Sequence, residues 1–262
     1  MDSENKKLNA WMISTFILAG AIVGFGVAQL PYSQWMGTAT VTQVDKPVPD
    51  QGVVKDTPLS ADQTSKLPDV GFVYGNADAP ITVVEFTDYQ CSFCAKFART
   101  IFPSIEDNYV KTGKVKFVYR NFPLDFHQDA PAAAVAAECA KEQSKYKEMH
   151  DVLFEKQTEW AGSGNATKLI KGYAKTVGLD TKQFDACFDG QKTAATVRKD
   201  MIDGASVGVN GTPAFFVNGK ILSGALPYEI FFKPAFDAEL AGKKWNVLYN
   251  AQGYPLSVKV ED

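Results

Sequence analysis

Two cysteines two residues apart, Cys91-Ser92-Phe93-Cys94, follow directly on the apolar run Ile81-Thr82-Val83-Val84-Glu85-Phe86-Thr87 and open a segment of helical composition. On a helix, positions i and i+3 share a face, so the two sulfurs approach bonding distance and close a small ring. Reversible disulfide chemistry is what this strand-then-helix setting serves. The two thiols are not equivalent. At a helix start, unpaired N–H groups and the positive end of the macrodipole stabilise a thiolate, lowering thiol pKa values from about 8.5 to roughly 3.5–7.5. Cys91 is therefore expected to be the nucleophile, and Cys94, one turn deeper, the resolving thiol. A structural zinc site wants four ligands, often as two close pairs. Here the other cysteines, Cys139 and Cys187, stand far apart and His127 and His150 are the only histidines, so no metal is expected.

More than a hundred residues downstream lies Val209-Asn210-Gly211-Thr212-Pro213-Ala214-Phe215-Phe216-Val217-Asn218-Gly219-Lys220-Ile221-Leu222. Two apolar runs around Asn-Gly predict a β-hairpin, with Pro213 at the entrance of its first strand, where a missing N–H is tolerated.

Together, Cys91-x-x-Cys94 after Val83-Val84-Glu85-Phe86-Thr87-Asp88-Tyr89-Gln90, and Gly211-Thr212-Pro213-Ala214-Phe215-Phe216-Val217-Asn218-Gly219, resemble the DsbA-like branch of the thioredoxin superfamily. The resemblance implies an α/β thioredoxin fold with a helical insertion between its βαβ and ββα halves. It also implies a thiol:disulfide oxidoreductase that needs no cofactor. In that family Thr212-Pro213 would be a cis bond lying against the cysteine pair as the floor of a peptide-binding site, although an arbitrary X-Pro bond is trans. Glu85 matches the family's buried acid six residues before the first cysteine. A carboxylate on an apolar strand is costly unless paired or functional, and near a thiol pair it would relay the resolving proton; the alternative is a Glu85 facing water at a sheet edge. Strong oxidants of the family carry Cys-Pro-His-Cys. Ser92 and Phe93 in their place point to a potential between those of thioredoxin, about −270 mV, and DsbA, about −120 mV.

Elements that must position these residues can be read from periodicity. Helices are expected from Ala130 to Ala140 with Pro131 in the first turn, then Tyr146 to Lys156, Ala166 to Val177, Thr181 to Phe188, Lys192 to Ala205, and near Tyr228 to Leu240. Phe102-Pro103 and Lys233-Pro234 are expected to kink or break their helices. Cys139 and Cys187 fall inside the insertion, about residues 127–206. They are either inert buried thiols or, in an oxidising compartment, a structural disulfide of the kind some DsbA-like members resemble; the bridge is the expectation. His127, after Asn121-Phe122-Pro123-Leu124-Asp125-Phe126, has two open readings: a place near the active site, or a cap on the following helix.

No charged residue occurs from Leu8 through Val44, and the stretch 8–30 is apolar enough to span a bilayer. Lys6 and Lys7 precede it, and no basic residue follows until Lys46. The positive-inside rule then leaves residues 1–7 in the cytoplasm and the catalytic domain outside, with a cleaved signal peptide as the competing reading. Residues 31–68, rich in Pro, Asp, Thr, Gln and Lys, read as a flexible linker, residues 69–242 as the domain, and 243–262 as an unassigned extension. A net charge of −3 with a pI near 5.5 argues against a nucleic-acid partner. By resemblance the substrates are thiol-containing unfolded or secreted proteins, and reoxidation falls to a quinone-linked membrane oxidase of the DsbB or vitamin K epoxide reductase type. Alternatives are a disulfide reductase or isomerase, and a tethered peptide-binding or chaperone module. Asn165-Ala166-Thr167 and Asn210-Gly211-Thr212 fit the glycosylation acceptor and are read as coincidence, since a glycan beside Pro213 would obstruct substrate.

Overall fold

β-Branched and aromatic residues dominate Ile81–Thr87 (β2); a sheet neighbour flanks the strand on each side, and it is buried along nearly its whole length because both faces of the sheet are covered. The computed structural model describes residues 71–261 together with Leu67. The segment 8–30 read as a membrane anchor lies outside the described residues, as does most of the 31–68 stretch. Among the described residues no helix is long and apolar enough to cross a membrane.

The five-stranded sheet has the order β1-β3-β2-β4-β5, built from Phe72–Tyr74 (β1), β2, Val115–Asn121 (β3), Ala214–Val217 (β4) and Lys220–Ser223 (β5). β2 and β3 are parallel, joined by a crossover helix, while β1, β4 and β5 each run antiparallel to their neighbour. This is the expected βαβ unit followed by a hairpin and a helix, with an additional short strand, β1, on the outer edge of β3. Asn218 and Gly219 both take positive φ, 42° and 93°, as a tight hairpin turn requires. The Asn218 carboxamide oxygen also accepts the Thr82 N–H at 2.8 Å, which ties the turn to β2.

Alternation along β2 sends its side chains to two different layers. Phe86 faces the layer of the helix Ala194–Ser206, in a cluster with Val207, Val209, Ala214, Phe216 and Leu67. The linker reading is thus corrected at its end: Leu67 belongs to the core. A Cβ on Gly204 would come within 2.8 Å of the Phe86 ring, so only glycine lets this helix approach so closely. Glu85 lies opposite Tyr119 on β3 and Phe215 on β4, toward the crossover helix, whose Phe97 packs 4.4 Å from the Phe215 ring centroid.

That crossover helix, 92–110 (α1), runs through Pro103 without a break. It passes through π-helical turns at Phe97–Ile101 and Glu106–Val110. The final helix, 228–240, has a π turn at Tyr228–Phe232 ahead of Pro234. Proline offers no N–H to the carbonyl four residues back, and a wider i to i+5 turn marks the interruption expected at each proline without ending the helix.

The insertion is helical from Ala130–Lys141 (α2) through Tyr146–Glu155 (α3), Gln157–Trp160 (α4), Ala166–Thr176 (α5) and Thr181–Phe188 (α6) to Ala194–Ser206 (α7). Cys139 on α2 and Cys187 on α6 are joined as a disulfide, with Cα atoms 5.8 Å apart. A second fastening is polar: fully buried Arg120 on β3 donates to Asp200 and Asp203 of α7, and Asn121 donates to Asp200 and Glu138. The extension after residue 242 forms a hairpin, Trp245–Tyr249 with Pro255–Val260, whose Trp245 is buried and donates its indole N–H to Glu239 at 2.7 Å.

Candidate active site

Cys91 sits at the N-cap of α1 with extended backbone (φ −72°, ψ 124°), beside the unpaired N–H groups of the first helical turn. Its own N–H donates to Asp88 O at 3.1 Å, which fixes the turn between β2 and the helix. Both cysteines are free thiols, so the pair is in its dithiol form. Cys94 is wholly buried, and its sulfur receives the Asp88 N–H at 3.5 Å; Cys91 keeps 5% of its surface exposed.

The electrostatic asymmetry is large. The Cys91 pKa is lowered to about 6, chiefly because the Cys94 thiol donates to its thiolate; burial opposes this, and the Cys94 N–H, the Thr212 hydroxyl and the Phe93 N–H add to it. Burial, with the neighbouring Cys91 anion second, pushes the Cys94 thiol well above its ordinary value. Near neutral pH one sulfur is thus an anion and the other holds its proton, the division of labour exchange needs.

Thr212-Pro213 is a cis bond, and in the thiol form Cys91 Sγ donates to the Thr212 carbonyl at 3.4 Å. The fold therefore brings together two segments 121 residues apart. Beside them opens a cleft of about 250 Å³ lined by Gly208 to Ala214 with Ile221, Ser223 and Gly224. Phe93 stands 61% exposed between the cysteines, and Phe126, 72% exposed, packs edge-on to His127. Ser92 is exposed on the same turn.

Glu85 is buried at 1% exposure on the central strand, which removes the sheet-edge alternative. Burial raises its pKa to about 8, the nearby Thr87 hydroxyl and Lys147 ammonium only partly offsetting it. A carboxyl protonated in the fold and ionised in the unfolded chain favours folding fully only below about pH 4.5, and that benefit is lost as pH rises toward 8. Glu85→Gln is accordingly expected to raise stability at pH 7 by about 3 kcal/mol, with little gain at pH 4.5. Denaturant midpoints of both proteins across this range check it, and equal stability at pH 7 would refute the raised pKa.

Two residues at the site escaped the sequence. Asp88, buried, accepts from the Gln90 and Leu124 N–H groups at 2.7 and 2.8 Å and pairs with His127 Nδ1 at 2.7 Å. It thereby locks the cysteine turn to the 122–127 loop and settles His127 beside the site; the Asp88 contact raises the His127 pKa. Gln157, on α4, donates to the carbonyls of Tyr89 and Cys91 at 2.7 and 3.0 Å. Asp88 follows β2 immediately and so could have been suspected, whereas nothing in the sequence distinguishes Gln157.

The thioredoxin family pattern matches residues 69–233. Disulfide bond formation protein D of Bacillus subtilis is 32% identical over 176 residues, covering 65% of this chain and 78% of that protein. A Na(+)/H(+) antiporter, NhaA 3 of Salinispora tropica, is 37% identical over 165 residues, 62% of this chain; the matched part spans only 24% of the antiporter's length. Among solved structures, oxidised BdbD from Bacillus subtilis superposes with a TM-score of 0.57 at 32% identity, covering 65% of this chain and 92% of that one. Wolbachia pipientis alpha-DsbA1, at 24% identity and a TM-score of 0.59 over 65% of this chain and 90% of that one, shares the fold. With a low-pKa cysteine at a helix start, a second cysteine one turn below and a cis proline from a distant loop against them, the chain belongs to the thioredoxin family, on its DsbA-like branch.

Proposed function

We propose that this chain is a membrane-anchored, extracytoplasmic oxidoreductase that introduces disulfides into secreted or membrane proteins. The unequal ionisation of Cys91 and Cys94 beside Thr212-Pro213 carries this reading. In the oxidised form a substrate thiolate attacks Cys91 Sγ, the Cys91–Cys94 bond breaks, and a mixed disulfide forms. A second substrate thiolate then attacks the substrate sulfur, Cys91 leaves as a stable thiolate, and the substrate gains its disulfide. Backbone groups of the 208–214 loop would hold the substrate in extended form, with exposed Phe93 and Phe126 offering apolar contact and little side-chain selectivity. The apolar, uncharged segment 8–30, with Lys6 and Lys7 ahead of it, supports an anchor with the domain outside the cytoplasm. Each turnover leaves a dithiol, so a membrane oxidase of the DsbB or vitamin K epoxide reductase type facing the same compartment would restore the bond.

Direction follows from how well the reduced form is stabilised. Lowering the Cys91 pKa from 9.0 to about 6 stabilises the dithiol state at pH 7 by about 1.4 kcal/mol, about 30 mV toward oxidant. Equilibration of the Cys91–Cys94 pair against glutathione is expected to give a midpoint between about −270 and −120 mV. A value at or below the thioredoxin end would instead make the protein a reductase fed by a transmembrane electron donor.

A further inference from the structure

Gln157 takes no part in the scheme above, yet it touches the nucleophile's own backbone. Its side chain is buried, and its Nε2 donates to two main-chain carbonyls, Tyr89 O at 2.7 Å and Cys91 O at 3.0 Å. The neighbouring residues are held from the same side. Asp88 is bound by Leu124 and His127, the Tyr89 and Tyr146 hydroxyls lie 3.2 Å apart, and Gln90 Oε1 accepts the Asp129 N–H at 2.8 Å. Of these fastenings, the Gln157 carboxamide is the one that reaches Cys91 itself. The short helix that carries it is fixed in turn. α4 begins at Gln157 after a break at Lys156 (φ −97°, ψ 13°). Across that break the Trp160 indole N–H donates to the Leu153 carbonyl of α3 at 2.8 Å, and beyond α4 the Gly162 N–H donates to the Asp129 carboxylate at 2.7 Å.

We propose that Gln157 is a positioning residue for thiol–disulfide exchange: from the insertion it holds the Cys91 turn in the backbone conformation that keeps the sulfur beside the first-turn N–H groups and Thr212. The proposal rests on the reading of Cys91 and Cys94 as an exchanging pair, and extends it to a residue 66 positions away. The reason lies in one dihedral. The Cys91 carbonyl accepts the Ala95 N–H at 3.1 Å, which is the first bond of α1, and Gln157 Nε2 at 3.0 Å, so both of its lone pairs are used. Held twice, the carbonyl cannot swing, and ψ of Cys91 stays at 124°, outside the helical range. That angle sets Cys91 ahead of the helix, where the Phe93 and Cys94 N–H groups and the Thr212 hydroxyl favour its anion. With the Ala95 bond alone, the carbonyl would pivot and the sulfur would drift from those donors. Water does not stand in for the carboxamide, because Gln157, Tyr89 and Cys91 are all buried. Gln157 takes no proton and forms no bond with substrate, so its effect runs wholly through Cys91.

Gln157→Met keeps the length and bulk of the side chain and removes both donors, so it tests the role in the full-length reduced chain. Alkylation of Cys91 by iodoacetamide is expected to slow about fivefold at pH 6 and to stay nearly unchanged at pH 9, as the midpoint of its profile moves from about 6 to about 7. Equilibration with glutathione at pH 7 should shift about fivefold toward the disulfide form, because the dithiol loses part of its stabilisation. A purely structural contact would lower the denaturant midpoint and move neither readout. A wild-type alkylation profile and glutathione equilibrium in folded Gln157→Met therefore overturn the proposal. Should the variant not fold, the unaltered chain decides: the side-chain amide resonances of ¹⁵N-labelled Gln157 are expected to titrate with the Cys91 midpoint and to stop doing so in Cys91→Ser. Resonances that stay still from pH 5 to 8 overturn it. Failure of the exchange reading looks different, because Cys91 of the wild-type chain would then alkylate as an ordinary thiol with a midpoint near about 8.5, whatever stands at position 157.

Discussion

Cys91→Ser is expected to lower the rate of thiol–disulfide exchange by on the order of 10³-fold or more, because a hydroxyl at that position offers neither a stable anion near pH 7 nor a sulfur for the mixed disulfide. Cys94→Ser should behave differently. Cys91 keeps the Phe93 and Cys94 N–H groups and the Thr212 hydroxyl but loses the thiol that contributes most to its low pKa. The Cys94→Ser protein should therefore still attack a substrate disulfide, and should accumulate as a mixed disulfide that nothing resolves. Incubation of each variant with a disulfide-containing peptide, followed by non-reducing electrophoresis or intact-mass measurement, separates the two. Trapping by Cys91→Ser in place of Cys94→Ser would reverse the assignment of nucleophile and resolver.

Removing the second pair of cysteines should cost stability and spare the chemistry. The Cys139–Cys187 bond closes a loop spanning 48 residues, and by the chain-entropy argument its loss in a Cys139→Ala/Cys187→Ala protein destabilises the fold by about 4 kcal/mol. Reduced exchange activity is not expected while the protein stays folded. The bond ties α2 to α6, while the insertion reaches the active site through Gln157 on α4 and the Asp88–His127 contact ahead of α2. Denaturant midpoints of the double variant and the parent measure the first effect, and peptide oxidation well below the midpoint measures the second. A destabilisation under about 1 kcal/mol would mean that the α2–α6 contact holds without the bond.

Much of this architecture was legible in the chain because it rests on local physics. The apolar run 81–87, the Asn218-Gly219 turn and the amphipathic spacing of Tyr146–Glu155, Ala166–Thr176 and Thr181–Phe188 each specify an element through near neighbours alone. Two local readings held only in part, for a shared reason. Pro103 and Pro234 were expected to kink or break their helices; each helix is irregular there and neither ends, since α1 and the final helix bury Phe97, Phe102, Phe232 and Phe236 on their inner faces. Tertiary packing holds each helix together, and π turns take up the lost hydrogen bond. The hairpin 245–260 was not read from its sequence because its exposed Leu248, Tyr254 and Leu256 blur the alternation by which a half-buried strand is recognised.

By itself the sequence determined the chemistry available: two thiols one helical turn apart at a strand-to-helix junction, an acid six residues earlier on an apolar strand, and a proline at the mouth of a hairpin. It also marked Cys91, at the helix start, as the thiol that ionises; only the tertiary structure decided how far its pKa falls and that Glu85 is buried in the sheet. A pKa depends on burial and on donors brought from elsewhere in the chain, as Thr212 is brought to Cys91. Burial and long-range contact are properties of the folded chain, and residue spacing along the sequence does not encode them directly.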